Sequence, residues 1–494
     1  MLTVNEIKQF IGEDAASTKK LDAAVGQRYY EGEHDILNYR LFYYNTDGVL
    51  TEDKTRTNIK IPHPFFTELV DQLAAYITSF ENNPIRAKNP ENGLQAHLDK
   101  YFDESFWAEM QDVIAGCNAK GFEYLYGYKN AEERLSFQCA DSLGVVEIRE
   151  QDSSDKQPYY IWHYADRVGK DRKRIRRIQV HSKDEIWFFV QDENFDVKLD
   201  TEREANPIPN VIWEDKKGDL YGYGLGFIPF WRLDNNQKQI SGLKPIKALI
   251  DDYDLMECGL SNNLQDFDTP IHVVSGFQGD NLDELQQNLK TKKIIGVDAE
   301  GSLDIKTIDV PYEARKTKAD EDEKNIYRFG MGFNSSQVGD GNITNVVIRS
   351  RYTLLDLKAK KLENRIKAFL KQGVIRVVLD EINAANKTDY LVDDVEIVFE
   401  HIINTNETEN AQNDLVKAQT EQVRIGTILS AAAVIGDDEV LKAICDVLDL
   451  DYEDVKTAMD KLNPATSLGD AQNLLDGVVT DDEQPAETGS TGVS

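Results

Sequence analysis

The residue types that most often hold metal ions or act as nucleophiles are sparse and scattered in this chain. Its seven histidines include no pair at the i, i+4 spacing that places two zinc ligands on one face of a helix. Its four cysteines, Cys117, Cys139, Cys258 and Cys445, lie far apart and form no C-x-x-C pair. The pattern predicts neither a metal site nor a disulfide framework, and it favours a reducing compartment.

Two other stretches resemble ligand sites only superficially. DLDYEDVKTAMD at 449–460 begins like a calcium loop, but Asp454 stands where the sharp turn requires glycine, so helix capping by Asp449 or Asp451 explains it better. YGYGLG at 221–226 lacks the strand-then-helix context of a dinucleotide site and is interpreted as a flexible turn.

The sequence also lacks the G-x-x-x-x-G-K-[ST] loop that cradles a nucleoside triphosphate. We therefore expect no catalytic residue, no metal and no cofactor. An enzyme acting through carboxylates stays an alternative, but acidic residues are so abundant that a close pair of them is uninformative. Turnover of DNA or nucleotide by the purified chain would be needed to support it.

The charge balance restricts the partners. Fifty-six basic and 88 acidic side chains give a formal charge of -32, and such a surface repels DNA phosphates and anionic membranes. The densest basic run, KDRKRIRR at 170–177, is interpreted as a solvated turn or as a source of salt bridges between subunits, with phosphate binding as the alternative. Other cations lie on a helix predicted at 346–372 and could face acidic neighbouring subunits as readily as DNA: Arg349, Arg351, Lys358, Lys360, Lys361, Arg365, Lys367 and Lys371.

Neither export nor membrane insertion is predicted. The amino terminus, MLTVNEIKQF, carries an early Glu and Lys where a secretory signal needs an apolar stretch. The longest apolar run, GTILSAAAVIG at 426–436, is well short of the roughly 18 residues that a membrane-spanning helix requires.

Hydrophobic spacing divides the 494 residues into several structural regions. Helical spacing predicts helices from residue 1 to about 45, over 61–80 and over 104–120, whereas alternating aromatic and aliphatic residues predict an antiparallel sheet from Gly121 to about 232. Two further helices, 244–267 and 311–328, enclose a small α/β insert with strands at 271–276 and 292–297 around a helix at 281–290.

A glycine-bearing stretch, 330–344, precedes the long helix. In that helix, apolar residues recur at alternating steps of four and three and predict one buried stripe, which Gly373 could kink: Ile348, Tyr352, Leu355, Ala359, Leu362, Ile366 and Phe369. A strand at 395–400 and helices at about 407–433, 437–448 and 452–462 follow. The remainder, 464–494, has no lysine or arginine and is predicted to be a disordered acidic tail.

The centre of this order resembles a known family. IYRFGMGFNSSQVGDGNITN followed by VVIRSRYTLLDLKAKKLEN, at 326–364, resembles the tunnel loop and long helix of tailed-bacteriophage portal proteins, in the branch common in long-tailed phages of Gram-positive hosts. RYYEGEHDIL at 28–37 and NIKIPHPFFTELVDQLAAYITS at 58–79 resemble the amino-terminal region of the same branch. Residues 343–348 are bulkier than the small, glycine-containing sequence typical of that point.

The resemblance implies an α+β portal fold assembled as a ring, typically of twelve subunits. It divides the chain into a wing (1–240), a stem helix (241–267), a clip (268–310), a second stem helix (311–331), a tunnel loop (332–346), a long kinked helix with a wing strand (347–403), a helical crown (404–463) and the acidic tail (464–494). The tunnel-loop residues expected to line the narrowest part of the channel are Phe333, Asn334, Ser335, Ser336, Gln337, Val338, Gly339, Asp340, Gly341 and Asn342.

A portal ring would stand at one capsid vertex, where double-stranded DNA passes without sequence specificity during packaging and ejection. The resemblance implies four kinds of protein partner: the terminase large subunit, a head-completion or adaptor protein, scaffold, and the major capsid protein. It places the chain in the virion and, during assembly, in the host cytoplasm. The alternative from another class is an acidic minor capsid or adaptor protein that never encircles DNA, and images of the particle would distinguish the two.

Overall fold

The structure, a computed structural model, describes most of the chain up to residue 456. The described residues are 2–54, 56–130, 132–148, 158–168, 173–203, 205–214, 220–267, 271–277, 297–306, 312–334, 345–401, 407–430, 436–448, 452–453 and 455–456. The chain divides into two compact units, Met1–Gly339 with Ser350–Ile402, and Asp340–Arg349 with Ile403–Ser494. Helices and antiparallel strands are both present, so the fold is α+β as predicted.

Two capped helices open the first unit. Helix α1 spans Val4–Ala15 and helix α2 spans Thr18–Tyr30. Thr3 and Glu6 form a reciprocal capping box at the start of α1, and the Ser17 side chain accepts a backbone N–H at the start of α2. These caps satisfy amides that the first helical turns leave without partners.

An exposed β-hairpin follows, so the prediction of helix up to about residue 45 is wrong at its end. Strands β1 (Phe42–Tyr44) and β2 (Leu50–Glu52) pair antiparallel. The side chain of Asn45 accepts the backbone N–H of Val49 at 2.8 Å, and Gly48 has a φ of 74°. This polar turn with a left-handed glycine joins two strands more readily than it continues a helix.

The next three helices are α3 (Phe65–Thr78), α4 (Leu94–Tyr101) and α5 (Glu104–Lys120), and α3 and α5 lie inside the ranges predicted for them. The face of α3 that the spacing predicts to be apolar is buried: Phe66, Leu69, Val70, Leu73 and Ile77. Leu69 of this face also takes part in the contacts described below.

Antiparallel strands follow, as the alternation predicts. They are β4 (Phe122–Lys129), β5 (Leu135–Ala140), β6 (Val145–Ile148), β7 (Tyr159–Val168), β8 (Lys173–His181), β9 (Glu185–Gln191), β10 (Val197–Leu199), β11 (Ile208–Pro209), β12 (Val211–Glu214), β13 (Leu220–Tyr223) and β14 (Phe230–Asp234). One sheet has the order β10-β9-β8-β7-β6 with β11 on β9, a second has the order β14-β4-β5, and β12 pairs with β13.

Two interpretations of short stretches in this region are corrected. Tyr221 to Tyr223 of the YGYGLG stretch lie in β13 and not in a turn. Lys173 to Arg177 of the basic run lie in β8 and not in a turn, and the remainder of that run falls outside the described residues. The larger sheet is covered by α1, whose Ile7 and Ile11 pack into the core of that sheet.

After the sheets the chain returns to helices around a two-stranded insert. The elements are α6 (Lys247–Phe267), β15 (Ile271–Phe277), β16 (Val297–Lys306) and α7 (Tyr312–Gly330), and β15 pairs antiparallel with β16. Helices α6 and α7 contact each other. The helix predicted at 281–290, and all but the last residue of the strand predicted at 292–297, lie outside the described residues.

The long helix is present and its predicted apolar stripe is buried at its centre, whereas Tyr352 and Phe369 are half-buried. Helix α8 spans Asn345–Phe369, a π-helical turn covers Leu370–Val374, and α9 continues over Ile375–Asn386. Leu355, Ala359, Leu362 and Ile366 of the predicted stripe are each at most 2% exposed. Gly373 lies in the π-helical turn, where a Cβ would meet Trp231 Cδ1 at 2.4 Å, so close packing accompanies the departure from α-helical geometry.

Strand β17 (Val395–Ile397) pairs with β3 (Ile85–Ala87) and is shorter than the strand predicted at 395–400. In the second unit, α10 (Glu407–Ser430) and α11 (Asp437–Leu448) pack through Leu429 and Val440.

The third helix predicted there, at 452–462, is helical at its described residues, 452–453 and 455–456. Asp449, Asp451 and the predicted tail at 464–494 lie outside the described residues.

Candidate functional site

The candidate loop connects α7 to α8, and the structure describes its beginning. Of the predicted loop residues, Phe333 and Asn334 are described, and residues 335–342 lie outside the described part of the chain. We call the segment from Gly330 to Asn334 the loop root. Three elements of the first unit, α3, α7 and α8, contact it.

The loop root begins as a defined helix ending. The backbone N–H of Gly332 donates to the carbonyl of Tyr327 at 3.0 Å, and Met331 adopts a left-handed φ of 55°. This is a Schellman ending, which usually has glycine at the left-handed position. Lys358 of α8 donates from Nζ to the carbonyl of Gly330 at 2.9 Å, which satisfies a carbonyl that the helix itself leaves free.

Helix α3 holds the loop root through a side-chain amide. Gln72 Nε2 donates to the carbonyl of Phe333 at 2.8 Å, and Gln72 Oε1 accepts the N–H of Phe333 at 3.0 Å. The other N–H of this amide donates to Glu68 at 2.9 Å. Both donors and the acceptor of the amide are therefore used, which fixes its orientation.

Packing of the loop root against α3 is equally close. Leu69 is 1% exposed, and a Cβ on Gly332 would lie 2.0 Å from Leu69 Cδ2. A Cβ on Gly330 would lie 2.6 Å from Leu69 Cδ1. Glycine at these two positions lets the backbone lie directly on a buried leucine.

Aromatic rings extend the contact to α8. The ring of Phe333 stacks on Tyr352 at 4.9 Å between centroids, with planes 7° apart. Tyr352 stacks in turn on Tyr76 of α3, whose hydroxyl donates to Asp356 at 3.2 Å. Burial and the nearby Asp356 raise the pKa of Tyr76, so its hydroxyl stays protonated.

The two helices that enclose the insert share an ion network. Lys318 of α7 donates to Asp252 of α6 at 2.6 Å and also to Asp322 one turn further along α7. These hydrogen bonds, first that to Asp252, raise the pKa of Lys318. The charge of this lysine is thus compensated inside the subunit.

An extended segment, Thr57 to His63, runs along α6 and was not foreseen from the sequence. We call it the strap. The N–H of Ile59 donates to Asn262 at 2.7 Å and that of His63 to Asp254 at 2.9 Å, while the N–H of Ile61 approaches Cys258 Sγ at 3.2 Å. Two residues of extended chain advance about as far as four residues of helix, so every second amide finds a helix side chain.

The strap ends at a buried acid between two imidazoles. Asp254, which has no exposed surface, lies 2.6 Å from His34 Nδ1 and 2.8 Å from His63 Nδ1. Burial alone would raise the pKa of Asp254, but the hydrogen bonds from His34 and His63 lower it. In the described part of the chain no group of three or more His, Cys, Asp or Glu residues could hold a metal ion.

A second buried acid is equally enclosed. Glu123 is 1% exposed, pairs with Lys120 and accepts the backbone N–H of Ser142. Burial raises the pKa of Glu123 to about 7 despite this pairing. The pairing of this carboxylate with Lys120 links α5 to the sheet. Because its partners enclose the carboxyl group, a substrate has no access to it.

Four of the basic residues noted from the sequence have partners within the chain. On β8, Arg177 donates to Asp166 at 2.6 Å and lies 3.4 Å from Asp200, and Lys173 lies 3.8 Å from Glu193. On α8, Lys360 pairs with Asp356 at 2.6 Å, in addition to the Lys358 contact described above.

No described helix is long and apolar enough to cross a membrane. The four cysteines are free thiols.

Comparison with known proteins identifies the class. The profile of the family described as "Phage portal protein, SPP1 Gp6-like" matches residues 13–448. The chain belongs to this family, whose members are structural components of phage particles, and the resemblance carried by the loop and long helix is confirmed.

Curated relatives are similar at low identity. The portal protein of Bacillus phage SPP1 is 24% identical over 348 residues, which are 70% of this chain and 67% of the relative. The portal protein of Clostridium phage phiCD119 is 24% identical over 393 residues, which are 74% of this chain and 80% of the relative. Both phages infect Gram-positive hosts, as the resemblance implies.

One solved structure, titled "Neck of native GTA particle computed with C12 symmetry", aligns with a TM-score of 0.37 and 12% sequence identity. The alignment covers 79% of this chain and 90% of that chain.

Proposed function

We propose that this chain is the subunit of a homo-oligomeric ring of twelve copies that forms the channel for double-stranded DNA at one capsid vertex. The observation that carries the proposal is the family match over residues 13–448, which spans both helices around the candidate loop. DNA would pass through the ring during packaging and again during ejection. The chain itself would hydrolyse nothing, and a terminase ATPase would drive the movement.

The proposal assigns the regions as follows. Helices α6 and α7 are the stem, residues 268–310 the clip, 332–346 the tunnel loop and 404–463 the crown. The wing comprises 1–240 and 347–403, and 464–494 forms an acidic tail. The contact between α6 and α7, with Lys318 bridging them, supports treating these helices as one rigid stem.

Charge supports a channel through which DNA slides. Each lysine or arginine that contacts a phosphate adds a salt-dependent attraction, so a strongly basic lumen would retain DNA. The subunit carries a net charge of -32, and Lys318, Lys358 and Lys360 all have partners inside the subunit. These three lysines are therefore held by groups of the subunit itself.

The loop from Phe333 to Asn342 is proposed as the narrowest part of the channel. Gly339 and Gly341 allow backbone conformations that other residues reach only with strain, which suits a loop that contacts a moving helical polymer. Deletion of 336–341 should reduce DNA packaging or retention while rings with an unchanged number of subunits still form. Packaging at the wild-type level by the shortened ring would remove this role.

The partners follow from the same function. At the clip we place the terminase large subunit during packaging and a head-completion or adaptor protein afterwards. Scaffold and major capsid protein would contact the ring while the shell assembles. The chain would accordingly be found in the virion, and in the host cytoplasm during assembly.

Negative-stain images of the purified chain give the first test. The proposal predicts discs with a central hole. A particle without a hole that still binds capsid proteins would instead indicate an acidic adaptor or minor capsid protein.

A further inference from the structure

Contacts from two different helices meet at the loop root, and each acts on the main chain. The carbonyl of Gly330 accepts Lys358 Nζ from α8, and both main-chain groups of Phe333 bond to Gln72 of α3. Main-chain contacts fix the path of the backbone whatever side chains it carries. They therefore determine the direction in which the chain leaves α7.

The partners in these contacts are themselves held firmly. Gln72 lies on α3 three residues after the buried Leu69, and its amide also donates a hydrogen bond to Glu68. Lys358 precedes the fully buried Ala359 on α8, and burial lowers the pKa of Lys358 to about 8. The buried ammonium group of Lys358 is stabilised by the hydrogen bond that it donates to the carbonyl of Gly330.

Side-chain contacts complete the attachment. Phe333 stacks on Tyr352, and Asn334 Nδ2 donates to Glu323 of α7 at 2.9 Å. Asn334 is the last described residue before 335–344. The attachment therefore reaches the final described residue of the loop root.

We propose that Gln72 and Lys358 are positioning residues for the channel loop. Gln72 holds Phe333 against α3 and Lys358 holds Gly330 against α8, and together they set where the loop begins. This inference rests on the proposed function, since it takes the segment after α7 to be the loop that faces DNA. Phe333 then serves as the anchored start of that loop.

The test of Gln72 uses the full-length chain and Gln72→Met, which removes the amide but keeps the side-chain length and a high helix propensity. Hydrogen exchange followed by mass spectrometry should show the Phe333 amide exchanging about tenfold faster, which corresponds to about 1.4 kcal/mol of lost protection. Peptides from the remainder of α3 should keep wild-type rates. Gln27→Met is the matched control, because Gln27 lies on α2 and its amide bonds the exposed Glu31 just after that helix, far from the loop root in sequence.

Two exchange results would overturn the positioning role. Unchanged exchange at Phe333 means that Gln72 does not hold the loop root. Faster exchange along all of α3 means that the residue serves general stability instead.

Lys358 is tested by comparison with its neighbour. Lys358→Met removes the donor to Gly330, whereas Lys360→Met, two residues on, removes an exposed ion pair with Asp356. In a packaging assay with capsids and DNA, Lys358→Met and Gln72→Met should each lower the DNA packaged per capsid several-fold. Lys360→Met and Gln27→Met should package as the wild type does.

Ring mass separates this inference from the proposed function. If wild-type rings form and package DNA, and both variants form rings that package equally well, the positioning role is wrong while the channel function stands. If the wild-type chain forms no ring or supports no packaging, the channel function fails and the positioning role fails with it.

Discussion

Gly332 lies against Leu69 so closely that an added methyl group has no room. A Cβ there would be 2.0 Å from Leu69 Cδ2, and Leu69 is 1% exposed and cannot easily move aside. We expect Gly332→Ala to destabilise the protein by about 1–3 kcal/mol, the usual cost of overpacking. Thermal unfolding followed by circular dichroism measures the change.

The control for this substitution is Gly12→Ala. Gly12 lies inside α1, and a Cβ there would meet no atom within 4 Å. Alanine is favoured over glycine in a helix interior by roughly 1 kcal/mol, so this variant should unfold at the same or a higher temperature. Equal loss of stability in both variants would contradict the packing at the loop root.

His181 should make stability depend on pH. It packs among Tyr126, Trp162 and Phe230, and burial lowers the pKa of His181 to about 3. Between pH 6.5 and 3 the unfolded chain binds a proton at this residue that the folded chain does not bind. Stability therefore falls as pH falls through this window, by up to about 1.4 kcal/mol per pH unit from this residue.

Replacement of this imidazole isolates its contribution. His181→Phe should show a smaller loss of unfolding temperature from pH 6.5 to pH 5 than the wild type does, and His97→Phe, on α4, serves as control. His163, whose pKa burial lowers to about 4, leaves some pH dependence in every variant. An identical pH slope in His181→Phe and the wild type would show that His181 is not responsible.

Individual residues were predictable where a periodic pattern includes them. Leu355, Ala359, Leu362 and Ile366 were assigned to the buried stripe of α8 because helical spacing repeats along the chain. The pairing of Gln72 with Phe333 joins residues 261 positions apart, and a single glutamine on a helix carries no sign of its partner. The contacts that hold the loop root could therefore not be predicted from the sequence.

At the scale of elements, the strap and α6 form a repeating ladder. Amides of the strap at every second residue meet side chains of α6 at every fourth residue. The ladder gives an extended chain hydrogen-bond partners without a neighbouring strand. It also joins the segment before α3 to a proposed stem helix.

The ladder can be tested at the end formed by Ile59 and Asn262. Asn262→Ala removes the acceptor of the Ile59 N–H, which lies 2.7 Å away, and should speed exchange of that amide about tenfold or more. Asn263→Ala, at the next position, should leave the exchange of Ile59 unchanged. Equal exchange rates of the Ile59 amide in the two variants would mean that the ladder does not protect the strap.

Elements were predicted well where one period dominates. Helices α3, α5, α6 and α7 and the antiparallel strands β4 to β14 were anticipated from their spacing. The hairpin of β1 and β2 was missed because consecutive aromatic residues fit either a helix or a strand. The Asn-Thr-Asp-Gly turn at 45–48 is the signal that could have identified it.

At the scale of the whole molecule, we predict from the net charge how strongly the ring binds DNA. A ring of subunits that each carry -32 should bind linear double-stranded DNA weakly at physiological salt. The logarithm of the affinity should also change little with the logarithm of salt concentration, because few phosphates are neutralised. Filter binding over a salt series measures this, and a steep slope with tight binding at low salt would contradict a weakly interacting channel.

The proposed channel function depends most on assembly of the chain into a ring. Membership of the family supports such a ring, whereas the contacts within one subunit do not test it. Mass measurement of the purified assembly, with images of the same sample, tests it most directly. We expect annular particles whose mass is twelve times the 56.1 kDa of one chain. A chain that stays monomeric at every concentration, and forms no annular particle beside phage capsid proteins, would contradict it.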